Sequence, residues 1–184
     1  MGPRTMIALA DGAGGMSGAP EAAEQVVDRL LEVFPRGSAP VTPDACAEAV
    51  QAVDQAVASN PRAGESTALL VVLDGDSLVG ASVGDCEAWV FPQDGEPREL
   101  TSNQMRKPRM GTGRSNPIGF GPTRLDGLLI MMTDGVADYV TPRELVALVR
   151  TSESEQLPKV LVDHVRLPSG ALPDHASVLV ARQS

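Results

Sequence analysis

The sequence predicts an α+β fold in which two antiparallel β-sheets pack as a sandwich between outer α-helices. Three observations carry this. Strand-like runs follow one another at 66–74, 77–84 and 86–92, the first two joined by the turn pair Asp74-Gly75. The first run, STALLVVLD, is apolar on both faces. A sheet of such strands needs cover on both sides, helices on one and a second sheet on the other. Two stretches ahead of these strands carry apolar residues at helical spacing.

Taken in order, residues 5–10 (TMIALA) read as a short buried strand, followed by the glycine-rich turn DGAGGMSG at 11–18. A helix of about 15 residues comes next, with Ala23, Val26, Val27, Leu30, Leu31 and Phe34 on one face and Pro20 near its start. Pro35-Arg36-Gly37 ends it. Thr42 is placed as the N-cap of a second helix and Pro43 as its first residue. Cys46, Ala49, Val50, Val53 and Val57 form the buried stripe, and Asn60-Pro61 closes the helix. Beyond the three strands, residues 93–124 show no periodicity and read as a long functional loop. Residues 127–133 (GLLIMMT) form another fully buried strand. Thr141-Pro142-Arg143-Glu144 is a capping box opening a helix, and 154–166 forms one more. The strand 176–182 (ASVLVAR) closes a single domain spanning 1–184, with no repeat or linker.

Composition narrows the function. An apolar fraction of 42% and a charged fraction of 21% are ordinary for a globular domain. The net charge of -9 argues against nucleic acid and against anionic membranes as partners, since both require a basic footprint. An acidic chain that handles phosphate needs local positive charge, which metal ions would supply. Two cysteines, Cys46 and Cys86, make no disulfide framework, and two histidines make a zinc site a poor fit. A reducing cytoplasm is the expected compartment. No apolar run approaches the length of a membrane span, and the first residues lack a signal-peptide core.

One pattern stands out: aspartate at the end of an apolar strand. Asp11 follows IALA, Asp85 follows ASVG, Asp134 follows LLIMMT, and Asp174 precedes the last strand. Carboxylates gathered at one sheet end repel one another unless cations intervene. All-oxygen ligation with open positions suits Mg²⁺ or Mn²⁺. Asp-Gly is also a common turn pair, which is how Asp74-Gly75 and Asp94-Gly95 are read. Asp11 and Asp134 differ by the apolar strand before each and the helix soon after.

Four segments together resemble the PPM (PP2C-like) metal-dependent protein phosphatases. DGAGGMSG is similar to the family's VADGMGG-type turn. STALLVVLDGDSLVGASVGDCEAWVF resembles its Gly-Thr-Thr strand and the Val-Gly-Asp-Ser-Arg strand after it. LLIMMTDGVADYVTPREL resembles its LLxxSDGLxDxxxxxE block, and PDHASVLVAR its closing Asp-Asn/Asp-x-Thr strand. PIGFG at 117–121 resembles the Leu-Gly segment near the flap. The resemblance implies the α-β-β-α sandwich and two Mn²⁺ or Mg²⁺ ions. It implies Asp11 bridging both ions, the Gly12 carbonyl on one, Asp134 and Asp174 on the other, and Asp85 on a third, looser ion. It implies hydrolysis of phosphate monoesters, of phosphoserine and phosphothreonine in phosphoprotein or phosphopeptide substrates, by a metal-activated water.

The chain departs from the family at definite places. No counterpart of the N-terminal Arg-x-x-Asn-Glu-Asp strand precedes Asp11, so the family's phosphate-binding Arg is missing, leaving Arg4, Arg106, Arg109 or Arg114 to replace it. Cys86-Glu87 stands for Ser-Arg, Ala13 for a His of some members, and His175 for Asn or Asp. The alternative function is therefore a catalytically weak or inactive module of the same fold that binds a partner or a phosphoprotein. A strand from a second copy could fill the place of the missing one, which makes a homodimer an expectation. Gly80-Ala81-Ser82-Val83-Gly84 matches the nucleophile elbow of serine hydrolases, but that elbow needs a helix next, and AWVF follows. The 12–18 turn lacks the third glycine of a dinucleotide fingerprint. No Arg lies just after either Cys, as cysteine-based phosphatase chemistry would need. His164 is read as helix surface, His175 as either supporting a neighbouring ligand or facing solvent rather than as a ligand itself, and Trp89 with Met131-Met132 as core.

Overall fold

The computed structural model describes residues 4–15, 17–33 and 40–182. The chain divides into two compact units, one comprising the residues up to Cys86 with Thr101–Arg124, the other Glu87–Leu100 with the residues from Leu125 onward.

The first unit is an antiparallel four-stranded sheet with two helices. Its strands are β1 (Thr5–Leu9), β2 (Ala68–Asp74), β3 (Ser77–Val83) and β6 (Ile118–Arg124), in the order β1-β2-β3-β6. Asp74 pairs with Ser77 across a two-residue turn, and Gly75 adopts φ 61°, so this Asp-Gly is the hairpin expected. Helix α1 (Ala19–Val33) buries Ala22, Val26 and Leu30, and α2 (Pro43–Ala58) buries Cys46, Val50, Val53 and Val57. These pack with Leu70, Val72, Val79 and Ala81 of the sheet into one core. Each fully buried Val or Leu contributes about 1.5–3 kcal/mol relative to exposure. Thr42 caps α2, its hydroxyl accepting from the Ala45 N–H at 3.1 Å. Phe34, read as the last apolar position of α1, and Pro35-Arg36-Gly37, read as its stop, lie outside the described residues, as do Met1–Pro3 and Met16.

β6 corrects the expectation that 93–124 is one irregular loop. It reads as a loop because it contains Gly119, Gly121 and Pro122. Gly119 is there for close approach: a Cβ would lie 2.6 Å from the Pro43 carbonyl oxygen at the start of α2. Gly121 adopts φ 90°, and the β3–β6 register shifts between Leu78 and Gly80.

The second unit has the sheet order β5-β4-β7-β8, with β4 (Glu87–Pro92), β5 (Arg98–Glu99), β7 (Gly127–Met132) and β8 (Val178–Arg182), all antiparallel. β5 is the second strand inside the supposed loop; at two residues it is too short to leave a pattern. Ile130 and Met132 of β7 pack with Val136, Val140, Leu145, Leu157 and Leu161, while Leu129 and Met131 on the opposite face are equally buried. That is the strand buried on both faces that the sequence predicts. The helices are α3 (Asp134–Ala137), α4 (Pro142–Thr151) and α5 (Leu157–His164). The capping box at α4 is complete: Glu144 N–H donates to the Thr141 hydroxyl at 3.3 Å, and Thr141 N–H donates to the Glu144 carboxylate at 2.9 Å. The Thr141 hydroxyl also donates to that carboxylate at 2.6 Å, and this bond together with the Thr141 N–H holds the Glu144 carboxyl below its ordinary value. Trp89 is only partly buried; its Nε1 donates to Glu87 at 2.8 Å.

Candidate metal centre

In the first unit, the residues after β1 and before β2 are stitched to each other. Asp11 N–H donates to Thr67 Oγ1 at 2.8 Å, Thr67 N–H returns to the Asp11 carbonyl at 2.8 Å, and Ser66 Oγ donates to the same carbonyl at 2.9 Å. Ala13 N–H donates to the Glu65 carbonyl at 2.8 Å. Ser66 and Thr67 are buried, so the backbone of Asp11 is fixed from a closed interior. Thr67 also carries the next strand: its Oγ1 lies 3.0 Å from Cys86 Sγ, and a Cβ on Gly84 would meet Thr67 Cγ2 at 2.7 Å. Asp11, Thr67 and Gly84 thus form a row across one end of the sheet, with Asp85 next along the chain.

Gly12 has no positive φ; a Cβ there would lie 2.4 Å from the carbonyl oxygen of Ala19, the first residue of α1. A Cβ on Gly14 or Gly15 would meet nothing within 4 Å among the described residues, which leave open space at the turn beside Asp11.

In the second unit, Asp134 is the first residue of α3 and directly follows Thr133 at the end of β7. The segment carrying Asp174 is bound alongside. Thr133 N–H donates to the Ser177 carbonyl at 3.1 Å, Ser177 N–H to Thr133 Oγ1 at 3.0 Å, and Thr133 Oγ1 to the His175 carbonyl at 3.2 Å. Gly135 also lacks a positive φ, and a Cβ would stand 2.1 Å from the His175 carbonyl oxygen. The Asp-Gly pairs therefore separate physically. Gly75 and Gly95 turn with positive φ, whereas Gly12 and Gly135 admit close backbone neighbours. Gly135→Ala should lower unfolding stability in urea by about 1–3 kcal/mol, because backbone must yield to the methyl group.

The aspartates differ in what their carboxylates meet. Asp134 is partly buried, and its Oδ1 is a buried atom without a hydrogen-bond partner among the described residues. A buried anionic oxygen without a donor is costly, and a cation is what would satisfy it. Asp174 is exposed and accepts its neighbour's His175 N–H at 2.7 Å. His175 is 96% exposed, as expected of a solvent-facing side chain. Asp85, 8% exposed, already has a counter-charge in Arg109, whose Nη2 lies 2.8 Å from Oδ2. Among the described residues no group of three or more His, Cys, Asp or Glu side chains is arranged to hold a metal ion. The donor chemistry at Asp134 fits a divalent cation; that at Asp85 is matched by the guanidinium.

Of the arginines considered for phosphate, Arg4 pairs with Asp74 at 2.8 Å, by the turn at the opposite end of β1 from Asp11. Arg114 is exposed. Burial pushes the Cys46 thiol up to about 12, which makes it inert as a nucleophile. Ser82 sits inside β3 and is buried, with a strand rather than a helix following, so no nucleophile elbow exists there.

The sequence reading missed Asp54, which is fully buried in α2. One oxygen accepts the N–H groups of Gly111 (2.7 Å) and Gly113 (3.1 Å), the other that of Ser115 (2.8 Å). Gly111 and Gly113, at φ 88° and 68°, turn the backbone so that these donors converge. Its place on the buried face was legible, since Asp54 falls four residues after Val50 on the apolar stripe, but its partners were not.

Two antiparallel four-stranded sheets with flanking helices form the α+β fold of bacterial serine/threonine phosphatases. The serine/threonine phosphatase Stp1 of Staphylococcus aureus matches with a TM-score of 0.79 at 20% identity, covering 98% of this chain and 84% of that one. The Mycobacterium tuberculosis serine/threonine phosphatase PstP/Ppp matches with a TM-score of 0.79 at 18% identity, covering 95% and 86%. A PstP catalytic domain in complex with two manganese ions matches with a TM-score of 0.75 at 22% identity, covering 95% and 86%. The chain belongs to the protein phosphatase 2C family, whose model matches residues 2–165. It is thereby classed with the metal-dependent phosphoric monoester hydrolases. No curated protein matches the sequence.

Proposed function

We propose that the chain hydrolyses phosphoserine and phosphothreonine in proteins with Mn²⁺ or Mg²⁺, as a single phosphatase domain. The observation that carries the proposal is the buried Oδ1 of Asp134, without a donor, in a chain of this family. Asp11, the Gly12 carbonyl, Asp134 and Asp174 are the proposed ligands. Divalent ions there supply Lewis acidity toward phosphoryl oxygens and lower the pKa of water. The chain's own residues hold the ligands in place: Ser66 and Thr67 fix the Asp11 backbone, and Thr133 fixes the 174–177 segment against α3. Gly14 and Gly15 leave room beside Asp11 for a phosphoryl group.

Two buried cysteines, neither in a disulfide, suit a reducing cytoplasm, and among the described residues no helix is long and apolar enough to cross a membrane. β1 and β8 each end a sheet and so offer an edge to a second copy. Light scattering that shows a monomer at all concentrations removes the homodimer from this reading.

The test is phosphate release from phosphoserine, phosphothreonine and phosphotyrosine peptides with Mn²⁺. Release from the first two, stopped by chelator, is expected. Binding of phosphopeptide without release at any Mn²⁺ concentration would replace this reading with the noncatalytic module.

A further inference from the structure

Asp85 and Arg109 form a pair almost out of water. Their side chains are 8% and 21% exposed, and Nη2 stands 2.8 Å from Oδ2. Both belong to the first unit. The pair does not rest on one contact. Gly84 N–H donates to the Met105 carbonyl at 2.9 Å, and Gln104 Nε2 donates to the Cys86 carbonyl at 2.8 Å, so the residues flanking Asp85 are tied to the segment that carries Arg109. Ser66 and Met110 exchange two backbone hydrogen bonds, of 3.1 and 2.9 Å. Asp54 holds the residues just beyond. Arg109 therefore approaches Asp85 on a backbone fixed on both sides.

A carboxylate this buried requires a counter-charge, and a guanidinium keeps its proton at any ordinary pH. A divalent ion at the same carboxylate would sit against that permanent cation with little water to screen the two. The ion enters only if the guanidinium leaves, and leaving strands a buried charge. We propose that in this chain Arg109 takes the place of a divalent ion at Asp85, so that Asp85 positions the 101–115 segment and binds no metal while the pair stands. The inference rests on the phosphatase reading and sets how many ions its site takes up. It also accounts for the Arg109 Nε, a buried donor without an acceptor among the described residues: the guanidinium is aimed by its charge, not by a full set of hydrogen bonds.

The experiment is Mn²⁺ binding by calorimetry, with ions per chain counted by native mass spectrometry. It compares the unaltered protein, Asp85→Asn, Arg109→Met and the double variant, which removes both charges and so leaves neither stranded. Asp85→Asn and the double variant should bind as many ions as the unaltered chain, and Arg109→Met one more. Loss of an ion in Asp85→Asn or in the double variant overturns the proposal, as does an unchanged count in Arg109→Met. Should either single variant fail to fold, the double variant decides. If the unaltered chain takes up no Mn²⁺, the phosphatase reading fails. Uptake of a first ion by Arg109→Met then still upholds the exchange at Asp85, and its absence overturns it.

Discussion

Asp134→Asn should reduce Mn²⁺-dependent phosphate release at least about a hundredfold, since residues that merely support metal ligands already cost 10–100-fold when changed. The substitution keeps shape and volume and removes charge. Its effect on stability runs the other way. Without metal, the wild-type Oδ1 is a buried anionic oxygen without a donor, and a neutral amide lowers that penalty. In chelator the variant should unfold at the same temperature as wild type or higher. Added Mn²⁺ should raise the wild-type melting temperature and leave that of the variant unmoved, because only the protein that binds the ion is stabilised by it. A variant that melts far below wild type in chelator would mean that the carboxylate has a structural role instead.

Asp54→Ala is expected to give the largest loss of stability. It leaves the N–H groups of Gly111 and Gly113, partly buried, and of Ser115, buried, without the acceptor that the fully buried Asp54 provides. At about 1–3 kcal/mol for each buried group left unsatisfied, partly relieved by water, the total is about 3–5 kcal/mol. That is a large share of the ~5–15 kcal/mol available to a domain. Asp54→Asn does not rescue it, because an amide that gives Gly111 and Gly113 their acceptor turns its NH₂ on the Ser115 N–H. Urea unfolding measures both; a shift below about 1 kcal/mol for Asp54→Ala would show that the loop finds other acceptors.

The contrast between Asp134 and Asp54 explains how much was legible beforehand. Asp134 follows a strand apolar on both faces and precedes Gly135, a local pattern that sequence displays in full. β7, the capping box at Thr141 and the hairpin at Gly75 are legible for the same reason: each depends on neighbours in the chain. Asp54 breaks an apolar stripe, and its partners lie 57 to 61 residues away, so nothing local announces its role. β6 hides behind Gly119 and Gly121, which are present because α2 and β3 approach closely, and glycine in sequence reads as loop. Asp85 was recognised as a strand-end carboxylate, but the pairing with Arg109 is a product of the fold. Charge partners are chosen in space, and spacing along the chain carries no record of them.

The most direct test of the central claim is phosphate release from an aryl phosphate by the purified chain, with Mn²⁺, with Mg²⁺ and with chelator. Turnover with either ion and none with chelator is the predicted result. Well-folded protein that binds Mn²⁺ yet releases no phosphate would contradict it.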